Sequence, residues 1–460
     1  MNHDELCTWS KRAADWARTY HETLRDRPVR APLAPGRIAA QLPPSPPEAA
    51  EPMAEIFADF ERIVLPGITH WQHPRFFAYF PANAAPASML AEQLANAIAA
   101  QGMLWQTSPA VTEIEQVMMV WLREALGLGA HFTGTIHDSA TTATLSAVLT
   151  MRERALGWAG LQEGLSGQPR LRLYASAETH SSVDKAARVA GIGQQNLVKI
   201  PTDSGNAMKP GALAGAIEAD LQAGRLPIGV VLCAGGTSIG AFDRIGDCIA
   251  VAKGAGVPVH VDAAWAGSAM ICPEFRDLWT GIDGADSIAF NPHKWLGAQF
   301  DCAVQFIAEP GAQIRTLGLR PTYLETAGAE EIVNFNEWTV PLGRRFRALK
   351  LWFLLRAYGL EGLRARIRNH VAWAREAAQA LAALPGVEIV TPPSLSLFSF
   401  ALADGDAATE ALLARINDDG RIYLTQTRHR GRYVIRVQVG QFDCTAEDVA
   451  MIPRVVGDLL

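Results

Sequence analysis

Between residues 86 and 345 the chain alternates short apolar runs with alanine-rich helical stretches, and this rhythm limits its fold more than any other feature. Strand-like runs fall at 171–175, 197–200, 229–233, 257–261, 288–290 and 303–307. Runs that are apolar on both faces need cover on both faces, and crossover helices between parallel strands supply it. The pattern predicts an α/β fold, a mostly parallel sheet wrapped by helices. Ligands in such sheets sit beyond the C-terminal ends of the strands. Thr237, Asp262 and Lys294 all fall at or just past such ends.

The flanks read differently. Residues 9–27 carry Trp9, Ala13, Trp16, Ala17 and Tyr20 at helical spacing. A proline-rich connector at 42–47 and a second helix at about 51–64 follow. After residue 346 come a long helix to 358, more helix over 361–384, and short strands near 387–390, 397–402 and 433–439, the pattern of a small α+β domain. The reading divides the chain into an N-terminal helical segment (1–85), a large domain (86–345) and a small C-terminal domain (346–460).

Lys294 follows the apolar run 287–290, an unusual place for a solvated cation, and Asp262 ends the run 257–261. Two readings fit. Lys294 snorkels at a strand end and Asp262 caps a helix. Alternatively, the amine bonds covalently to the aldehyde of pyridoxal phosphate (PLP) while the carboxylate keeps the pyridine nitrogen protonated. A phosphate needs donors at a helix N-terminus. The segment Asp138-Ser139-Ala140-Thr141-Thr142 opens a helical run and offers them, although it also reads as an ordinary hydroxyl cap.

Composition excludes other classes. A formal charge of -6 gives no basic field for nucleic acid or anionic membrane, and the run Arg428-His429-Arg430-Gly431-Arg432 reads as a solvated turn. No stretch of about 18 uncharged apolar residues is present, and the N-terminus has no signal-peptide pattern. The six cysteines lack metal or disulfide-scaffold spacing and read as thiols in a reducing cytoplasm. His70 and His73 stand three apart, but with no acidic or thiol partner nearby they read as packing or pocket residues, and no metal is expected.

Several longer motifs resemble one family. They are His73-Pro-Arg-Phe-Phe-Ala-Tyr-Phe-Pro81, Trp105-Gln-Thr-Ser-Pro-Ala110, His260-Val-Asp-Ala-Ala-Trp-Ala-Gly267, Asn291-Pro-His-Lys-Trp-Leu296 with Phe300-Asp-Cys302, and Pro341-Leu-Gly-Arg-Arg-Phe-Arg347. Together they resemble the PLP-dependent group II decarboxylases, and most of all the aromatic-L-amino-acid decarboxylases. The resemblance implies the PLP-dependent transferase fold type I (aspartate aminotransferase-like) and a homodimer in which the N-terminal segment packs across the partner. It implies decarboxylation of tryptophan, tyrosine, phenylalanine or dihydroxyphenylalanine.

By the same resemblance, Lys294 carries the cofactor, Asp262 meets its ring nitrogen and His180 stacks on its ring. Ala140, Thr141 and Asn291 take the phosphate, His293 precedes the lysine, and Thr237 lies beneath the ring. The family usually has serine where Thr141 stands. Histidine at 180 favours simple decarboxylation over oxidative deamination. Tyr323 matches the tyrosine of a mobile loop credited with the final protonation, in a loop slightly shorter than usual; phenylalanine there would point to an aldehyde synthase. Trp71, Tyr79, Phe80, Ala82, Met103, Leu104 and Gly343 match substrate-pocket positions. Ala82 stands for a frequent threonine and Met103 for a frequent phenylalanine, and position 343 affects ring preference in plant relatives. The rivals are an aldehyde synthase, a glutamate-type decarboxylase, and a cofactor-free binding protein on the same scaffold.

Overall fold

The computed structural model describes residues 1–319 and 332–460. Its centre is a seven-stranded sheet made of β1 (Thr133–His137), β2 (Leu171–Ser176), β3 (Leu197–Ile200), β4 (Leu226–Cys233), β5 (Val259–Asp262), β6 (Ser287–Phe290) and β7 (Ala303–Ile307). The order across the sheet is β1-β7-β6-β5-β4-β2-β3. Only β7 runs against the others, since it pairs antiparallel with both β6 and β1. The expected helix-wrapped, mostly parallel sheet is therefore present, and its strands are buried almost end to end.

β1 was absent from the expected strands. Its sequence is Thr-Gly-Thr-Ile-His, with polar side chains that are buried because each has a partner. Thr135 donates to Glu115 at 2.9 Å, and His137 meets Gln305 at 2.8 Å. A buried strand paved with satisfied polar groups has no apolar signature. β4 also begins three residues earlier than expected, where Pro227 sits beside a register shift against β2.

The small domain is a four-stranded antiparallel sheet of β8 (Val387–Ser394), β9 (Leu397–Leu402), β10 (Thr425–His429) and β11 (Arg432–Gln438), ordered β10-β11-β9-β8. β10 is a further strand that the sequence reading lacked. The basic run is the tip of the β10–β11 hairpin, where Arg428 pairs with Asp406 at 3.0 Å and Arg430 donates to the Ser204 carbonyl at 2.9 Å. The helix Arg347–Ala382 breaks at Gly359 (φ 61, ψ 167), a backbone that glycine adopts without strain, so two helices meet there as expected.

The first helix is His3–Glu22, starting earlier than the apolar spacing suggested because Asn2 and Glu5 form a capping box. It has no buried residue. It pairs with the helix Met53–Asp59 through Trp9–Phe57 and Trp16–Phe60 ring contacts at 5.5 and 5.1 Å. Residues further along the segment are built into the small domain. Phe77 lies in its core, donates its amide to the Tyr423 carbonyl and accepts from the Gln438 amide. His70 meets the Tyr20 hydroxyl, and His73 accepts the Arg75 amide, so both are packing residues.

Asp448 fastens this arrangement. Its buried carboxylate accepts from Arg25 at 2.8 Å and from Arg75 at 3.1 Å. Burial pushes the carboxyl up, but the Arg25 hydrogen bond and charge, helped by Thr445, outweigh burial and hold it below the usual carboxylate range. A depressed folded pKa contributes stability that is complete above the unfolded value of about 3.9 and is lost as pH falls through the folded value. Asp448→Asn should therefore cost about 2 kcal/mol at neutral pH in urea unfolding, and the deficit should shrink toward zero in acid. A deficit independent of pH would refute the ionic role.

Candidate active site

A cavity of about 200 Å3 opens at the C-terminal ends of β4, β5 and β6. Ser139, Ala140 and Thr141 reach it from the start of the helix Ala140–Ala155, His180 and Ser182 from beyond β2, and Cys233, Gly235, Gly236 and Thr237 from the end of β4. Asp262, Ala264 and Trp265 follow from β5, and Asn291, His293, Lys294 and Phe300 from beyond β6. All eight expected cofactor residues line this one space. A larger depression of about 470 Å3 lies at the other end of the sheet, where Arg154, Lys253 and Asp286 meet the starts of β4 and β5. It holds none of the expected groups.

Lys294 sits in a tight turn, Pro292–Leu296, with its amide on the Asn291 carbonyl. Its side chain is open only toward the cavity. Burial lowers the pKa of the amine, the nearby Asp262 carboxylate opposes this, and Arg436 adds to it. The Nζ atom lies 5.1 Å from the centre of the Phe80 ring. A lowered pKa makes such an amine easier to free of its proton, and the uncharged amine is the nucleophile.

Asp262 closes β5, almost fully buried, and one carboxylate oxygen accepts the Ala264 amide at 3.0 Å. His180 precedes the helix Ser181–Val189, and its Nδ1 accepts the Ser182 amide at 3.1 Å, which leaves the ring face open to the cavity. Burial of its inner edge lowers the His180 pKa, Asp262 raises it and Lys294 lowers it. His293 Nδ1 accepts the Cys302 amide at 2.8 Å, and burial holds that ring neutral, at about 3. Gly235 has φ 86, and a Cβ there would meet Ala266 and the Trp265 indole, so only glycine lets this turn approach the cavity wall.

Several site residues were missed from sequence. Asn83 is fully buried. It accepts the Phe442 amide at 2.9 Å and donates to the carbonyls of Lys294 and Gly440, tying the lysine turn to the small domain. Arg436 on β11 is equally hidden, and its guanidinium donates to the Ser238 and Tyr79 carbonyls at 3.0 and 3.2 Å. It lies 5.0 Å from the Phe80 ring, and its Nη2 has no partner. Neither residue sits in a pattern that sequence spacing reveals. Cys233 and Trp265 carried a weak signal, since both adjoin residues chosen for the site.

The expected substrate residues separate. Phe80 is buried, stacked on Trp265 at 4.9 Å beside Lys294 and Arg436. Trp71 and Tyr79 stack on each other at 5.9 Å with exposures of 41% and 47%. The Ala82 carbonyl accepts from Gln72. The Met103 carbonyl accepts from the Asn336 amide, Leu104 is buried, and Gly343 is exposed, with Gln101 Nε2 3.1 Å from where a Cβ would stand. None of Trp71, Tyr79, Phe80, Ala82, Met103, Leu104 or Gly343 lines the cavity within one chain. Tyr323 lies outside the described residues.

The residues fit PLP. Asn291 is buried with a side-chain oxygen lacking any partner, and its side chain lines the cavity beside the first-turn amides of Ala140 and Thr141, which have no intrahelical acceptor. Such orphaned groups at a helix N-terminus suit a phosphate. A buried amine and a buried carboxylate in the same walls suit an aldehyde and a ring nitrogen.

Comparisons with known proteins agree. The family model for the pyridoxal-dependent decarboxylase conserved domain matches residues 35–403. The chain is 38% identical to the aromatic-L-amino-acid decarboxylase of Sus scrofa over 95% of this chain and 93% of that one. It is 35% identical to the phenylacetaldehyde synthase of Arabidopsis thaliana, covering 96% and 92%. The solved structure of Oryza sativa TDC with PLP and tryptamine superposes with a TM-score of 0.96 at 33% identity, covering 100% of this chain and 99% of that one.

The electrostatics of the site can be tested without cofactor. Competitive acetylation across a pH series, mapped by mass spectrometry, should give Lys294 a titration midpoint below the value near 10.4 of an ordinary lysine. Asp262→Asn removes the group that favours the charged amine and should lower the midpoint further; Arg436→Met should raise it. Shifts of the opposite sign would refute the arrangement.

Proposed function

The chain belongs to the pyridoxal-dependent decarboxylase family, and from that premise we propose that it converts an aromatic L-amino acid to the arylalkylamine and carbon dioxide. PLP is its cofactor. The observation that carries the reading is the meeting of the Lys294 amine and the Asp262 carboxylate in one walled space bordered by Trp265, with the Phe80 ring and the buried Arg436 guanidinium packed beside Lys294.

When bound, PLP supplies an aldehyde for the amine and a ring that takes up the electron pair left as carbon dioxide departs. Lys294 is the nucleophile toward that aldehyde, helped by the burial that lowers its pKa. Asp262 favours a protonated ring nitrogen by direct attraction. His180 offers its face to the ring, and Thr237 borders it from the end of β4. The amides of Ala140 and Thr141, with Asn291, would hold the phosphate, and His293 precedes the lysine in the same wall. Arg436 offers its free N–H to the substrate carboxylate, a charge-assisted contact that orients the bond to be broken. We assign Tyr323 the final proton delivery from its sequence position alone.

Phe80 and Trp265 suit an aromatic side chain. The aldehyde synthase reading has support in the Arabidopsis relative, whereas His180 and Tyr323 favour the amine. One assay decides: tryptophan, tyrosine, phenylalanine, dihydroxyphenylalanine and glutamate are supplied separately, and amine, aldehyde and peroxide are quantified together. Amine from an aromatic substrate is expected, and Tyr323→Phe should turn much of it to aldehyde. Aldehyde as the main wild-type product, or turnover confined to glutamate, would overturn the reading.

We further propose a homodimer in the cytoplasm. Six unpaired cysteines suit a reducing compartment. Leu90, Leu94 and Ile98 line up along one face of the helix Pro86–Ile98, exposed by 51%, 43% and 62%. Val117, Val120 and Trp121 do so on the helix Pro109–Leu126, and the first helix buries nothing. Apolar surface of this extent suits a second copy, which would also cover Trp71, Tyr79, Met103 and Gly343. Leu94→Glu should lower the mass measured by light scattering to that of one chain and abolish activity. An active monomer would refute the dimer.

A further inference from the structure

Behind the cavity stands a continuous column of rings. Phe80, beside Lys294 and Arg436, stacks on Trp265 at 4.9 Å. Trp265 meets Trp295 at 5.3 Å. Trp295, the residue after Lys294, donates its indole N–H to Nδ1 of His370 at 3.0 Å. The column links the lysine turn to the helix Arg347–Ala382. Trp265 also donates from its indole nitrogen to the Gly235 carbonyl, in the turn that carries Thr237. Trp265, Trp295 and His370 are each at most 1% exposed.

The chemistry of the terminal contact is one-directional. An indole N–H only donates, so His370 Nδ1 must accept, and the imidazole must be neutral with its proton on Nε2. Burial, together with the Arg366 charge, keeps it so, lowering its pKa to about 3, and only the Gln441 backbone opposes this. Among the described residues no acidic side chain acts on His370 to pull a second proton onto the ring. Its Nε2 has no well-formed partner, with only the Gln441 backbone near enough to act on it, so the bond from the Trp295 indole is the ring's one well-formed hydrogen bond.

We propose that His370 is a positioning residue: by accepting the Trp295 indole proton it locks the Trp295–Trp265–Phe80 column, which fixes Lys294 at the cavity wall and keeps water from its nitrogen. This rests on the reading of Lys294 as the cofactor-bearing lysine. Without the acceptor, the indole N–H is buried and unsatisfied, and Trp295 must turn or draw in water. Either movement passes along stacked rings with no slack, because interiors are close-packed. The groups acting on the Lys294 nitrogen are Asp262 from β5 and Arg436 from β11, and both Asp262 and Lys294 act in turn on His180. None of them touches His370, so an effect at Lys294 must pass through Trp295, by its ring contacts or by its peptide bond to Lys294.

The test uses the cofactor-loaded enzyme and reads two quantities other than turnover. One is the pH midpoint of the cofactor's visible absorption, which reports the ionisation of the nitrogen at Lys294. The other is cofactor retention in dialysis. His370→Leu removes the acceptor, and His370→Asn keeps a carbonyl oxygen close to the position of Nδ1. The leucine variant should release cofactor about tenfold more readily and move the midpoint upward, because water reaching the nitrogen favours its charged form. The asparagine variant should behave as wild type. Trp295→Phe added to His370→Leu should bring little further change, since the two share one interaction.

An unmoved midpoint in His370→Leu, or equal damage in the asparagine and leucine variants, would overturn the proposal. Should His370→Leu fail to fold, Trp295→Phe alone must move the midpoint, and its failure to do so would overturn the proposal. A wild-type protein without cofactor absorption would instead sink the reading of Lys294, independently of His370.

Discussion

A lysine amine is held at the carboxyl edge of the central sheet, walled by protein on every side but one, and much of the surrounding architecture answers to its cost. Burying a charge is expensive unless it is compensated. Here compensation is deliberately incomplete: Asp262 attracts the charged amine, while burial and Arg436 push the other way. The amine is thereby left reactive rather than neutralised in a tight ion pair. Complete pairing of Lys294 with Asp262 would have stabilised the fold and spoiled both groups, since each must meet a different atom of a bound molecule.

Holding that unstable balance takes all parts of the chain. β5 and β6 present the two charges, and the small domain contributes Arg436 from β11. The segment before residue 86 supplies Phe80 and Asn83, which contact the lysine turn directly. The same segment is anchored to the small domain by Phe77 and by the Asp448 pairs. The site is thus a junction, and the cost of its buried polar groups is offset in three regions distant in sequence. Pre-organisation of this kind is what lets a cavity impose geometry on a bound molecule.

The sequence made the large domain legible wherever strands were apolar, because period and burial coincide there. It concealed β1 and β10, whose residues are polar yet paired. β1 is satisfied by Glu115 and Gln305, and β10 is a hairpin arm with outward-facing side chains. At the site, Lys294 and Asp262 stood out because a charge following an apolar run is anomalous. Arg436 is equally anomalous in three dimensions but invisible in one, since it alternates with valine and isoleucine as any half-exposed strand residue does. Burial of its face comes from the Phe80 segment some 350 residues away in sequence, information that no local window holds. Asn83 is hidden for the same reason: its five bonding partners come from two other parts of the chain.

The two halves of the binding space differ in how they are made, and the difference has a physical origin. The cofactor half comes from strand ends and helix starts within one sheet, whose mutual positions the ladder hydrogen bonds fix; Ala140, Asp262, Asn291 and His293 there are buried. The candidate substrate half comes from loops and exposed rings, with Phe80 and Leu104 buried. Tyr79 adopts φ 48, a strained backbone for a tyrosine, and does so with its ring nearly half exposed. A bulky residue keeps such a conformation only where its surroundings over-determine it. The carbonyl of Tyr79 is gripped by Arg436, and its ring is stacked on Trp71, so the strain is held at the boundary between the buried floor and the open rings. Arg436 is then the joint between the halves: one nitrogen fixes the aromatic rim and another fixes the turn after β4.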